Sequence, residues 1–236
     1  MLGIMSCLGN TRKMVIGALC CLVLVSSALS GCSSHLESDT GLATDNHCTP
    51  PCWHNITPGV SNGDDVLAQL RHDPSVNKDT LTYGVLGEGG PFWTFRWQSE
   101  GERMNRIHLL GEKVLRIEIS LDYDSTLGEV VDEYGSPERV YVPICAEDHR
   151  DRIFIDYPSS GLQFSTPLSI DLGNDTVETS VVLSETLAMA DVVYFAPTSL
   201  REMLSEVFLL SPDEVDCRMD NSYEWPGFGR ITIAEP

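Results

Sequence analysis

The chain has 236 residues, with 35 acidic against 15 basic side chains and a formal net charge of −20. An acid excess of that size is repelled by phosphate backbones and by anionic lipid, which excludes nucleic-acid binding and peripheral lipid binding as expectations. Aromatic and β-branched residues are plentiful in the middle of the chain, which excludes wholesale disorder there.

Arg12 and Lys13 precede the apolar run "MVIGALCCLVLV" (Met14 to Val25), and "SSALSGC" then brings small residues up to Cys32. That order is the pattern of a secretory signal. The run falls short of the ~20 apolar residues a membrane helix needs. Leu29-Ser30-Gly31-Cys32 resembles the lipobox of bacterial lipoproteins at all four positions. The resemblance implies cleavage before Cys32, a diacylglycerol on its thiol and acylation of the new amine. Two or three such chains anchor a protein stably where one holds it marginally, each buried methylene contributing about 0.8 kcal/mol. The expected organisation is a lipoprotein signal peptide over 1–31, a lipidated flexible tether over 32–47, and a body outside the cytoplasm, lipid-anchored to the bacterial cell membrane. Without the signal, 13 basic residues face 35 acidic ones, a net charge of −22.

Cys48, Cys52, Cys145 and Cys217 follow the tether. An even count in an exported chain reads as disulfides. A long-range bond constrains the unfolded chain more than a short one. The reading therefore favours Cys48 and Cys52 each joined to one of Cys145 and Cys217. The alternative of Cys48–Cys52 with Cys145–Cys217 stays open. Three residues separate Cys48 from Cys52, two of them proline, which argues against a thioredoxin-type site. His47 and His54 lack a second Cys/His pair at zinc spacing. Trp53 is expected to pack on the disulfide or the core.

The helical signals repeat. In "ITPGVSNGDDVLAQLRHDPSV" Ser61 is the expected cap, with Asp64 three residues on, and Val66, Leu67 and Leu70 share a face before Pro74 stops the helix. In "DYDSTLGEVVDEYGSPERV" Thr126 and Glu129 form a capping box, Val130 and Tyr134 face inward, and Gly135 and Pro137 end it. In "APTSLREMLSEVFLLSPDEV" Ser199 and Glu202 form the box, and Leu200, Leu204 and Val207 make the stripe. Strand-like runs follow the first two helices. After Pro74 they are "TLTYGVLG", "PFWTFRWQS", "RMNRIHLLG" and "KVLRIEISL"; after Pro137 they are "ERVYVPI", "DRIFIDYP", "GLQFST" and "AMADVVYF". Alternation such as Arg106, Ile107, His108, Leu109 predicts sheets with one wet face. The expected fold is α+β: two helix-plus-four-stranded antiparallel sheet units, over 48–121 and 122–236, the second carrying a C-terminal helix and tail.

Gly59-Val60-Ser61 and "TLGEVVDEYGSP" (Thr126 to Pro137) resemble the helix-then-sheet modules of the β-lactamase-inhibitor-like and SmpA/OmlA (BamE) lipoprotein families. "PCWHNITPG", with "TLGEVVDEYGSP", "YPSSGLQF" and "VVYFAPTSL", resembles a group of lipoproteins from Chloroflexi-type bacteria. That resemblance spans most of the mature chain and implies no activity.

Chemistry is harder to find. His72, His108 and His149 lack the neighbours of a triad, and "PSSGLQF" lacks the strained G-x-S-x-G elbow, so Ser159 and Ser160 read as a turn. Counted from Asp122, "LDYDSTLGEVVDE" has Leu127 where a calcium loop needs Gly. In "FWTFRW" one face carries Phe92, Thr94 and Arg96, the other Trp93, Phe95 and Trp97. One face is core; Trp93, Phe95 and Trp97 with Arg96 form a candidate interaction surface. No catalytic residue, cofactor or metal site is expected. The resulting expectation is a membrane-anchored, non-catalytic protein-binding or envelope-assembly module, its protein partner unidentified. An envelope hydrolase and a small-molecule or calcium-binding lipoprotein are the alternatives.

Overall fold

A computed structural model describes residues 48–86, 90–98, 103–121, 124–142, 152–167 and 180–232. The signal, the tether, Cys32, Asp122, Cys145 and His149 lie outside the described residues. The fold is α+β, built on a large antiparallel sheet, in agreement with the fold class expected from the sequence.

Helix α1 (Gly63–His72) buries Val66, Leu67 and Leu70 as the stripe requires. Its cap is Asn62, whose Oδ1 accepts from the Asp64 amide at 2.9 Å, and not the expected Ser61. The Ser61 hydroxyl is occupied one turn earlier, accepting from the Thr57 amide at 2.9 Å. Strands β1 (Val76–Leu86), β2 (Gly90–Trp97), β3 (Asn105–Leu110) and β4 (Lys113–Ser120) form a meander. Helix α2 (Leu127–Tyr134) starts with the expected Thr126/Glu129 box, reciprocal bonds that satisfy two donors of the first turn. Strands β5 (Arg139–Tyr141), β6 (Phe154–Tyr157) and β7 (Leu162–Ser165) form a second meander. Next comes β8 (Ser180–Leu183), and then β9 (Asp191–Phe195), which inserts between β4 and β7.

The nine strands of this sheet run β1-β2-β3-β4-β9-β7-β6-β5-β10, every neighbour antiparallel, with β10 (Ser222–Glu224) at the far edge. Strands β8 and β11 (Gly229–Thr232) pair as a separate ribbon. Strands β8, β10 and β11 are absent from the sequence reading.

One face of the sheet meets α1, α2 and the ribbon. Phe95, Ile107, Ile117, Ile119, Val192, Tyr194, Phe164 and Ile155 pack there with Val66, Leu70, Val130 and Leu183. Trp53 joins this core at 3% exposure, its ring 6.0 Å from Phe95 and 5.7 Å from Trp97. It anchors the start of the domain, as expected. The candidate interaction surface fails for the same reason: Phe95 and Trp97 are 0% and 7% exposed, and so are spent on the core. Trp93 is half-buried against Tyr83, and Arg96 lies on the opposite side of the strand.

The favoured long-range disulfides for Cys48 and Cys52 do not form. These two bond to each other across a Cα separation of 5.6 Å, within the range of a disulfide. Cys217 is also disulfide-bonded.

The third predicted helix is two helices. α3 begins with the expected Ser199/Glu202 box over Leu200–Glu202 and continues as a π-helical turn over Met203–Val207, burying Met203, Leu204 and Val207 together. Leu209 then takes φ +56, a left-handed conformation that ends the helix. α4 (Pro212–Asp220) restarts with its own box, Ser211 and Glu214, and Pro212 sits where its missing N–H costs nothing.

The second face is therefore not wet throughout. α3 and α4 cross it through a second apolar cluster of Val193, Phe195, Met203, Leu204, Val207 and Val215. Alternation reports which residues point to a face, but not whether a later segment covers it.

Candidate functional site

The covered face carries two rows of polar residues running across the strands. In the first, Arg106 pairs with Glu118, Glu118 with Val193, Val193 with Gln163, and Gln163 with Asp156. In the second, Ser120 pairs with Asp191, Asp191 with Ser165, and Ser165 with Phe154. A cleft of about 610 Å³ opens between these rows and the C-terminal segment, with Phe208, Leu210 and Arg218 on the helical side. That volume falls in the ~300–1,000 Å³ range of small-molecule sites.

Four guanidinium groups line it, Arg106, Arg116, Arg152 and Arg218, against the two carboxylates Glu118 and Asp191. Each carboxylate is matched. Glu118 Oε1 accepts from Arg116 Nε at 2.9 Å and lies 2.9 Å from His108 Nε2; Oε2 meets Arg106 Nη1 at 3.4 Å. Burial alone pushes the Glu118 carboxyl up, but His108, Arg116 and Arg106 together outweigh it and hold the group at about 2. Asp191 Oδ2 accepts from Arg152 Nη1 at 2.6 Å and from Ser165 Oγ at 3.2 Å, while its Oδ1 accepts from Ser120 Oγ at 3.2 Å.

The cations differ in what they have left to give. Arg116 is committed: Nε holds Glu118, Nη1 donates to the Val207 carbonyl at 2.5 Å, and the guanidinium lies 5.1 Å from the Phe208 ring centre. Arg218, on α4, stacks over Tyr141 at 5.2 Å and Phe154 at 5.6 Å. It makes no hydrogen bond or ion pair to a described residue. Arg106 is 44% exposed, and among the described residues its guanidinium has the 3.4 Å contact with Glu118 alone.

At the inner end Asp156 is fully enclosed, its Oδ1 accepting from Gln163 Nε2 at 2.7 Å. Burial raises its carboxyl to about 6, against the opposing pull of the Gln163 bond and the Arg218 charge.

His108 is enclosed in the sheet, 1% exposed, stacked on Phe92 at 5.7 Å; its Nδ1 has no hydrogen-bond partner among the described residues. His72 is on the surface, its Nδ1 2.6 Å from the Ala68 carbonyl. Ser159 sits in a 3-10 turn, donating to Glu138 Oε1 at 2.6 Å, the turn role expected of it. Among the described residues no three His, Cys, Asp or Glu side chains converge as metal ligands, and no helix is long and apolar enough to cross a membrane.

The sequence reading missed the cleft residues. Their trace was present in "RIEIS", where Arg116, Glu118 and Ser120 alternate with Ile117 and Ile119, and in Arg106 and His108 of the facing strand. The period showed that these side chains share a face, but nothing local showed that Asp191, Arg152 and Arg218 join them. No family model matches the chain, and neither a curated protein nor a solved structure matches it.

Proposed function

We propose that the protein is a lipid-anchored, extracytoplasmic binding module that retains a small ligand in the cleft above its sheet and does not transform it. The observation that carries the reading is the pairing inside the cleft: both carboxylates are held by guanidinium groups, Glu118 well below the range of a proton-transfer group. The nearest imidazole, His108, is buried beside Glu118 and does not line the cleft. Both features favour retention over hydrolysis.

The order of elements supports a modular origin for this platform. One helix and four strands (α1, β1 to β4) and then a second helix and four strands (α2, β5, β6, β7, β9) meet through their last strands, β4 and β9. This order supports a reading as two units resembling the inhibitor-like and SmpA/OmlA modules, joined in one continuous sheet. A second reading, docking of a protein partner, draws on Tyr83 and Val85, 57% and 64% exposed on the edge strand β1.

The anchor is tested in cells. Labelled palmitate is expected in the wild-type chain and not in Cys32→Ala, with the wild type sedimenting with membranes. Unlabelled wild-type protein recovered from the cytosol would reject the reading. Incubation of the purified protein with ester and phosphoester substrates is expected to leave them intact; turnover lost on substituting cleft residues would replace binding with catalysis.

A further inference from the structure

We infer that the cleft takes a small organic oxyanion, a carboxylate or phosphate ester on an apolar body, gripped by Arg218 and Arg106. The inference rests on the proposed binding role and adds the chemical class of the ligand.

The first ground is charge. Four guanidiniums against two carboxylates leave an excess of two positive charges in one partly enclosed space, within a chain whose net charge is −20. Cations in so acidic a protein have carboxylates available as partners at many positions. Here the two nearest are already paired at short distance, Glu118 with Arg116 at 2.9 Å and Asp191 with Arg152 at 2.6 Å. The remaining positive charge faces the cavity.

The second ground is unspent donors. A guanidinium offers five N–H groups in a planar fork suited to two oxygens of one anion. Arg218 uses none of them on a described side chain or carbonyl, and its plane is held by the Tyr141 and Phe154 rings. Such a cation has its direction set before a ligand arrives, so little conformational entropy is lost on binding. Arg106 contributes one weak contact and is otherwise open.

The third ground is the lining. Met104, Phe154, Phe208 and Leu210 border the same space, so a bare inorganic ion would leave apolar wall wet. An anion carrying a ring or a short aliphatic body fills both halves.

The test is titration calorimetry on the full mature chain with three probes of similar size: phenyl phosphate, benzoate and neutral benzyl alcohol. At least one of the two anions is expected to bind, and benzyl alcohol to bind at least about tenfold more weakly. Arg218→Gln and Arg106→Gln are each expected to lower affinity for the bound anion about tenfold, the scale of one lost charge-assisted contact. Melting temperature is read on both; the exposed Arg106 keeps the test decisive if the Arg218 variant unfolds. Binding of neither anion, equal binding of all three probes, or unchanged affinity in a folded variant overturns the inference. Those outcomes leave palmitate labelling at Cys32 untouched. Conversely, hydrolysis of phenyl phosphate by the wild type would end the binding reading while the anion preference stands.

Discussion

Arg116 and Val207 are 91 residues apart in sequence, and the guanidinium of the first donates to the main-chain carbonyl of the second at 2.5 Å. This bond ties the centre of the sheet to the last turn of α3, where a helix end leaves its carbonyls without partners. The same side chain holds Glu118, so one residue secures the roof of the cleft and part of its floor.

Arg116→Met removes both bonds and the cation–π contact with Phe208. The Val207 carbonyl then lacks this donor, and Glu118 keeps only His108 and the weaker Arg106 contact. The expected loss in urea unfolding is about 2–4 kcal/mol. Amide exchange across residues 203–220 is expected to accelerate more than in α1. A loss under ~0.5 kcal/mol with unchanged exchange would show that the apolar cluster alone holds the helices.

Asp156 makes stability depend on pH in a defined direction. Its carboxyl titrates at about 6 in the fold, against an ordinary value of 3.8. The folded state therefore binds the proton more tightly. The resulting stabilisation is complete below about pH 4 and is lost as the pH rises through about 6. Asp156→Asn retains the acceptor for Gln163 and carries no charge to desolvate. It is expected to be more stable than the wild type by about 3 kcal/mol at pH 8, the two-unit shift at ~1.4 kcal/mol per unit. At pH 4 the two proteins are expected to melt together. A constant difference across that range would refute burial of an ionising Asp156.

Gly161 joins the disulfide segment to the sheet. At φ +72 it takes a left-handed conformation, and a Cβ there would lie 2.9 Å from Pro51 Cβ and clash with the Phe195 carbonyl oxygen. Its own amide and carbonyl bond to Pro158 and Phe195. Gly161→Ala is expected to cost at least about 2 kcal/mol, from strained dihedrals and overpacking together. Thermal melting of the variant checks it, and a shift under ~2 °C would mean that the segment moves aside freely.

The Cys48–Cys52 bond closes a short loop and should contribute modestly. The loop-entropy relation gives about 2 kcal/mol for a loop this small, less than half of what a 100-residue loop would supply. The double variant Cys48→Ser, Cys52→Ser is expected to remain folded at 25 °C with that loss in denaturant. Failure to fold at all would assign the bond a larger role in seating Trp53.

Local signals carried far along this chain. The Thr126/Glu129 and Ser199/Glu202 boxes, the Val66/Leu70 face and eight long strand runs were legible because each depends on bonds or periods within a few residues. The cap lies one residue later than S-x-x-D suggests: the Ser61 hydroxyl turns to the Thr57 amide and Asn62 takes the Asp64 amide, a competition the pattern does not record. The Leu200, Leu204 and Val207 stripe was legible, but its period does not record the break at Leu209, where a positive φ separates α3 from α4.

The sequence by itself determined the α+β composition, the faces of the helices and long strands, and the residues of one core. Only the tertiary structure decided that β9 enters between β4 and β7, that the polar face is roofed by α3 and α4, and that Arg218 meets Arg106, Arg152 and Glu118 around a single cleft. The physical reason is distance along the chain. Capping and amphipathic period are settled among neighbours, whereas the meeting of side chains as distant in sequence as Arg106 and Arg218 around one cleft depends on which surfaces the whole chain brings together.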